Sequence, residues 1–302
     1  MPFAHSRLSV RIIALALTPT LISQSQEAPR FSSGIDLINV TVTVTDGSGR
    51  FVAGLRKEDF AVYEDGKLQT LTQFTRERVP VSLGILLDAS GSMNIEKLNA
   101  AKSALGHLVF DLLERDDELF FVQFGFNARL TQEWTTDRKL IRHALVDVNH
   151  PTGDTALYDA IALALPTAQE GRHVKKALLV ISDGNDTHSL VTLPELRQAI
   201  VESDVLVYAL GIDNPPGARQ KTERLDAGAL RQITDDTGGR TEVVRDAGGL
   251  DAAIARIAGE LRQQYSLGYA TSAARDGQRH ELRVDVRGRR VNVRARRGFI
   301  AS

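Results

Sequence analysis

The 302-residue sequence contains no cysteine, which excludes disulfide scaffolds, thiolate metal sites, iron–sulfur clusters and a cysteine nucleophile together. Neither sign of charge is in excess: 37 Lys and Arg residues face 38 Asp and Glu residues. No whole-chain field therefore draws the protein to nucleic acid or to an anionic membrane, and any charged ligand must be met by a local site. Aromatic residues are few, and Tyr63, Phe120, Phe121, Phe124 and Trp134 read as core rather than as a ligand platform. There is no low-complexity tract and no internal repeat. Beyond the first residues, no stretch approaches the ~18 consecutive apolar residues of a membrane span.

What is present is ordinary globular composition, 42% hydrophobic and 25% charged, which excludes disorder, collagen and coiled coil. At the N-terminus, Arg7 and Arg11 precede an apolar stretch, Ile12 to Leu17 with Leu21 and Ile22, that ends in Ser23-Gln24-Ser25. This order predicts a secretory signal peptide over residues 1–25, a mature chain beginning near Gln26, and a secreted, periplasmic or cell-envelope location.

Residues 35–78 read as an N-terminal β segment. Val40, Val42 and Val44 alternate with Thr41, Thr43 and Thr45, the period of a half-buried strand. Phe60 to Glu64, the turn dipeptide Asp65-Gly66, and Leu68 to Phe74 then form a hairpin. From Pro80 the pattern changes. Nearly continuous apolar strands at Ser82 to Asp88, Glu118 to Phe124, Ala177 to Ser182 and Val205 to Ile212 alternate with amphipathic helices at 95–113, 138–148, 157–169, 193–203, 227–236 and 250–264. Such alternation predicts a doubly wound, mostly parallel α/β sheet over residues 79–264.

Residues 265–300 return to β character, with strands at 265–270, 280–287 and 291–296 joined through Asp276-Gly277 and Gly288. Neither flank can bury a core alone. The two are therefore expected to pair as one small β-sheet or β-sandwich in which the α/β unit is inserted. Nine arginines face three acidic residues between Thr271 and Ser302. Their alternation with valine predicts the solvated face of an edge strand, with contact to an anionic envelope surface as the alternative.

The candidate chemistry lies at the strand ends. Asp88, Ser90 and Ser92 place a carboxylate and two hydroxyls at i, i+2 and i+4 on a glycine-containing turn that follows a buried strand. Open α/β sheets bind ligands outside these carboxyl ends, and oxygen-only donors suit a hard divalent cation such as Mg²⁺. Two further loops reach the same end, Gly153-Asp154-Thr155 and Ser182-Asp183-Gly184. Taken alone, the first segment could equally be a helix cap.

In this order Asp88, Ser90, Ser92, Thr155 and Asp183 resemble the metal-ion-dependent adhesion site of the von Willebrand factor type A domain family, written D-x-S-x-S followed by a distant Thr and a distant Asp. The resemblance covers about Val79 to Val244. The flanking strings VTVTD, EDFAVYEDG, YSLGY and VRARRGF are similar to bacterial secreted proteins of the VWFA-related domain family. The resemblance implies that Ser90 and Ser92 bind a Mg²⁺ or Mn²⁺ directly, Thr155 directly or through water, and that Asp88 and Asp183 hold the coordinating waters and hydroxyls. Such a cation keeps an open position for an Asp or Glu carboxylate of a protein partner. Met93-Asn94 replaces the acidic pair of integrin-type members, so no second metal is expected there. Asp154 stands where the family usually has Gly and is expected to face solvent. Asn127, Thr152, Asp154 and His188 are the expected rim.

The implied function is non-enzymatic adhesion without nucleic acid. The alternatives are metal-assisted phosphoester hydrolysis with His188 or Asp154 as base, and an envelope protein that assembles by filling the site of a neighbouring copy. The serine segment fails the G-x-S-x-G elbow, and the seven histidines include no H-E-x-x-H.

Overall fold

The computed structural model describes residues 36–148, 151–183, 186–213, 225–271 and 277–301. The expected signal peptide, Gly184 of the third loop, and Asp276 of the expected C-terminal turn lie outside them.

The flanking strands come first: β1 (Asp36–Thr45), β2 (Phe60–Glu64), β3 (Lys67–Gln69) and β4 (Leu71–Thr75). The α/β part runs β5 (Val81–Asp88), α1 (Ile95–His107), β6 (Glu118–Phe124), β7 (Ala128–Thr135), α2 (Arg138–Asp147), α3 (Leu157–Gln169), β8 (Lys175–Ser182), α4 (Leu193–Ser203), β9 (Leu206–Ile212), α5 (Ala227–Asp235), β10 (Thr241–Val244) and α6 (Leu250–Gln263). The chain closes with β11 (Tyr265–Thr271), β12 (Arg279–Val286), β13 (Asn292–Arg294) and β14 (Gly298–Ile300).

The central sheet has the order β10-β9-β8-β5-β6-β7. All neighbours are parallel except β6 and β7. Every residue of β5 is buried, because helices cover both faces of the sheet. One face packs Leu83, Ile85, Phe121 and Leu179 against Leu98, Leu105, Ile254 and Ile257. The other packs Leu86, Phe120, Leu178 and Val180 against Ile161, Leu165, Leu196 and Ile233. Gly84 sits mid-strand because a Cβ there would stand 2.2 Å from a ring carbon of Phe120 and 2.6 Å from Leu178. Strand β7, which the apolar runs do not announce, is an edge strand whose alternating burial follows Leu130 and Trp134; Trp134 packs edge-on to Phe120 at 4.6 Å.

Two four-stranded antiparallel sheets, β13-β1-β11-β4 and β14-β12-β2-β3, each combine strands from both flanks. Val40 of β1 lies opposite Leu267 of β11, and Val62 of β2 opposite Val284 of β12. Between the sheets lie Val40, Val42, Phe60, Val62, Leu267, Tyr269, Leu282 and Phe299.

The segment expected as one strand from Leu68 to Phe74 divides at Thr70. β3 stays with β2, whereas β4 crosses to β11. The division leaves Leu68 57% exposed and takes Leu71 into the core; Phe74 then stacks 6.1 Å from Tyr265.

The arginine-rich end also departs from a purely solvated face. Arg294 binds Glu260 of α6 at 2.6 Å and donates to the Gly239 carbonyl at 2.7 Å. Arg296 pairs with Asp204 and donates to the Asn39 carbonyl at 2.8 Å. Arg294 turns inward because the buried Glu260 leaves charge to be neutralised, whereas Arg296 closes on the exposed Asp204.

Candidate metal site

Asp88, Phe124 and Ser182 end three adjacent strands, so the loops that follow them share one edge of the sheet. Backbone hydrogen bonds join the first two of these loops to the segment 151–156 that precedes α3. Ala89 N–H donates to the Phe124 carbonyl at 2.6 Å, Thr152 N–H to Ala89 at 3.1 Å, Gly91 N–H to Gly153 at 2.9 Å, and Ala156 N–H to Gly125 at 2.7 Å. Gly153 has φ +76°, a left-handed conformation suited to glycine, and an added Cβ would meet Phe126 at 3.3 Å.

Within this frame four of the sequence-selected residues form a continuous hydrogen-bonded chain. The Ser90 N–H donates to Asp88 Oδ1 at 2.8 Å. Ser90 Oγ lies 3.0 Å from Ser92 Oγ, and the Ser92 hydroxyl donates to Asp183 Oδ1 at 2.7 Å. Asp88 and Asp183 are fully buried. Burial pushes the Asp88 carboxyl up to about 6; hydrogen bonds from Ser182 and Ser90 oppose the shift, and the neighbouring Asp183 adds to it.

Thr155 is buried and held by its backbone. Its N–H donates to Thr187 Oγ1 at 2.9 Å, and its carbonyl accepts from the N–H groups of Thr187 and His188 at 2.9 and 3.1 Å. The rim residues Asn127, Thr152, Asp154 and His188 are all exposed. The Asp154 carboxylate lies 3.9 Å from His188 Nδ1 with a side chain 63% exposed.

Three participants escape a reading based on the motif alone. Ser182 donates its hydroxyl to Asp88 Oδ2 at 2.5 Å. Its position next to Asp183, at the end of an apolar strand, is the signal that could have found it. Lys97 pairs with Asp183, its Nζ lying 3.4 Å from the Ser92 carbonyl oxygen. As the third residue of α1 it can reach back past the helix start, since helix side chains tilt toward the N-terminus. Phe126 stacks on His188 with ring centroids 3.9 Å apart.

A second group of metal-ligating types, Glu64, Asp65 and His280, stands at the β2–β3 turn. It is joined internally: Asp65 accepts from the Glu281 N–H at 2.9 Å and lies 2.7 Å from His280 Nδ1, and Glu64 accepts from the Thr271 hydroxyl at 2.8 Å.

The donor set around Asp88 fits a hard divalent cation. It combines two buried carboxylates with hydroxyl oxygens, and Asp88 is raised by burial rather than paired with an arginine. A doubly wound α/β domain carrying such oxygens on its carboxyl strand ends defines a class of ligand-binding module. The von Willebrand factor type A domain model matches residues 83–255, more than half of the chain, and the chain belongs to that family. Members are generally non-enzymatic interaction modules and often bind a divalent metal at their metal-ion-dependent adhesion site.

The uncharacterised protein sll0103 of Synechocystis sp. is 30% identical over 113 residues, which make up 37% of this chain and 27% of that protein. The chain thus matches about a quarter of the length of this curated relative. Among solved structures, the von Willebrand factor type A protein of Catenulispora acidiphila is 18% identical with TM-score 0.51, covering 90% of this chain and 74% of that one. The PilB minor pilin of Streptococcus sanguinis is 12% identical with TM-score 0.51, covering 63% of each chain. Both are likenesses of fold.

Proposed function

We propose that this chain is an exported, non-enzymatic binding module that recognises an exposed Asp or Glu carboxylate on a protein partner through a Mg²⁺ or Mn²⁺. Asp88, Ser90, Ser92, Thr155 and Asp183 would hold that cation. The observation that carries the reading is the chain of hydrogen bonds from Asp88 through Ser90 and Ser92 to Asp183. A hydroxyl that donates its proton to a buried carboxylate keeps its lone pairs for a cation. Ser92 is oriented in this way by Asp183.

When bound, the cation supplies an electrophilic position for one further oxygen. The chain's own residues do the rest. Asp88 and Asp183 provide negative charge beside the hydroxyls, and burial keeps that charge from being screened by water. The Phe126–His188 pair and Thr152 line the approach, where they select among partners. Export is supported by the arginine-then-apolar order of residues 7–22.

The test is calorimetric titration of Mg²⁺ and Mn²⁺ into the protein and into a Ser90→Ala, Ser92→Ala double variant, with circular dichroism as a control of folding. Binding in the wild type and its loss in a folded variant are expected. Equal binding by both proteins would remove the serines from the site, and no binding by the wild type would reject the metal reading.

A further inference from the structure

We propose that Lys97 is a tethered counter-cation that weakens the grip of the Asp88–Asp183 site on a divalent metal and, by the same charge, strengthens the metal-loaded site's attraction for a carboxylate. The inference rests on the metal reading of the site and names what tunes it.

The geometry is specific. The Lys97 side chain is only 12% exposed, and its ammonium pairs with an Asp183 that is wholly buried. Nζ also reaches toward the carbonyl oxygen of Ser92 at 3.4 Å, and the hydroxyl of that same serine occupies the other Asp183 oxygen, Oδ1. Lysine and serine thus divide the carboxylate between them. Asp183 acts on a neighbouring cation through the Ser92 hydroxyl at one oxygen, while its other oxygen is answered by the ammonium. The backbone of Lys97 is fixed as well, its N–H donating to the Asn94 side chain at 2.9 Å where α1 begins. The stem is therefore anchored and the charge cannot drift far from the site.

Charge counting gives the consequence. With Asp88 and Asp183 ionised and Lys97 protonated, the cluster sums to one negative charge; a divalent cation turns this into one positive charge. With a neutral residue at 97, the same cluster carries two negative charges and is neutralised by the metal. A unit charge a few ångströms away in a partly desolvated site changes binding by roughly ten- to a hundredfold. Removing it must act in opposite directions on the two ligands: the metal is bound more tightly and the incoming anion less tightly. A lysine kept only for packing or helix stability predicts no such opposition.

The experiment compares wild type with Lys97→Met, Lys97→Gln and Lys97→Arg, using Mn²⁺ as the metal and acetate as the carboxylate probe. Manganese affinity is read by calorimetry, and acetate binding to the manganese-loaded protein by water proton relaxation. Thermal melts identify any variant that does not fold, and the glutamine form stands in for methionine in that event. The expected result is Mn²⁺ binding about tenfold or more tighter in Lys97→Met and Lys97→Gln, acetate binding weaker by a similar factor, and both near wild type in Lys97→Arg. Metal binding by the wild type with unchanged or weaker metal affinity in the neutral variants, or with undiminished acetate affinity, overturns the role of Lys97 and leaves the site reading intact. Absence of Mn²⁺ binding in wild type and neutral variants alike overturns both.

Discussion

Two clusters of buried acid stand in the same α/β domain and are compensated differently. Glu260 of α6 is fully buried and meets two guanidinium groups, Arg294 at 2.6 Å and Arg240 at 3.4 Å. Its other oxygen accepts from the Tyr208 hydroxyl at 3.0 Å and the Thr43 hydroxyl at 3.2 Å. Gln264 completes the group, donating to Thr43 at 3.0 Å and to Tyr208 at 2.8 Å. Asp88 and Asp183 are equally buried but, among the described residues, meet hydroxyls, one backbone N–H and a single ammonium. Glu260 is answered by positive charge from its own chain, and it ties α6 to β1 and β13. The Asp88 cluster keeps net negative charge at an open strand edge. Burial alone therefore does not mark a binding site; the balance of charge around the buried group does.

The largest way to break this comparison is Glu260→Ala, which removes the acid that Arg240 and Arg294 share and leaves Arg240 only its pair with Glu242. Removing one member of a buried charge cluster is expected to destabilise the fold by about 3–5 kcal/mol, measured by urea unfolding, with Mg²⁺ affinity unchanged in protein that remains folded. A comparable loss of metal affinity would make the two clusters one functional unit.

Asp88→Asn sharpens the contrast because its effect has the opposite sign when metal is withheld. The folded carboxyl holds its proton up to about 6, whereas the unfolded one releases it near the ordinary aspartate value of 3.8. Between those values the folded state binds more protons, so the contribution of Asp88 is fully present below about pH 4 and is lost as pH rises through 6. In chelator, the stability of wild type minus variant should fall across pH 4–6 by roughly 2–3 kcal/mol. Magnesium at pH 7 should restore wild type and leave the variant unmoved. A flat difference would show that the buried carboxylate carries no uncompensated charge.

The smallest effect is expected at an exposed ion pair outside both clusters. Arg297 is 61% exposed and lies 3.9 Å from Asp236, which Arg197 already engages at 2.7 Å. Arg297→Ala should change unfolding free energy by less than about 1 kcal/mol. A larger loss would show that this exposed pair carries structural weight of its own.

Much of this organisation was legible in the residues. The runs of Val, Leu and Ile located β5, β6, β8 and β9 because a strand covered on both faces must be apolar throughout. Edge strands escaped that rule, and β7 shows only a half-buried alternation. The motif selected Asp88, Ser90, Ser92 and Asp183 because a strand end followed by a short turn carries its polar side chains to one place. Lys97 escaped it, since it is not set apart by type or spacing until the start of α1 meets Asp183, and Ser182 was signalled only by its place beside Asp183 at the end of an apolar strand. The arginine strings announced charge but not direction; their inward turn depends on Glu260 and Asp204, which come from other elements.

The sequence by itself determined the alternation of central strands and helices, the apolar strands that must be buried, and the oxygen donors at the ends of two of them, because these follow from local periodicity and from residue chemistry. Only the tertiary structure decided how charge is balanced. Electrostatic compensation falls off steeply with distance and rises with burial, so which acid meets an arginine, which meets a lysine, and which is left for a cation depends on groups far apart in the chain that the packed sheets bring together.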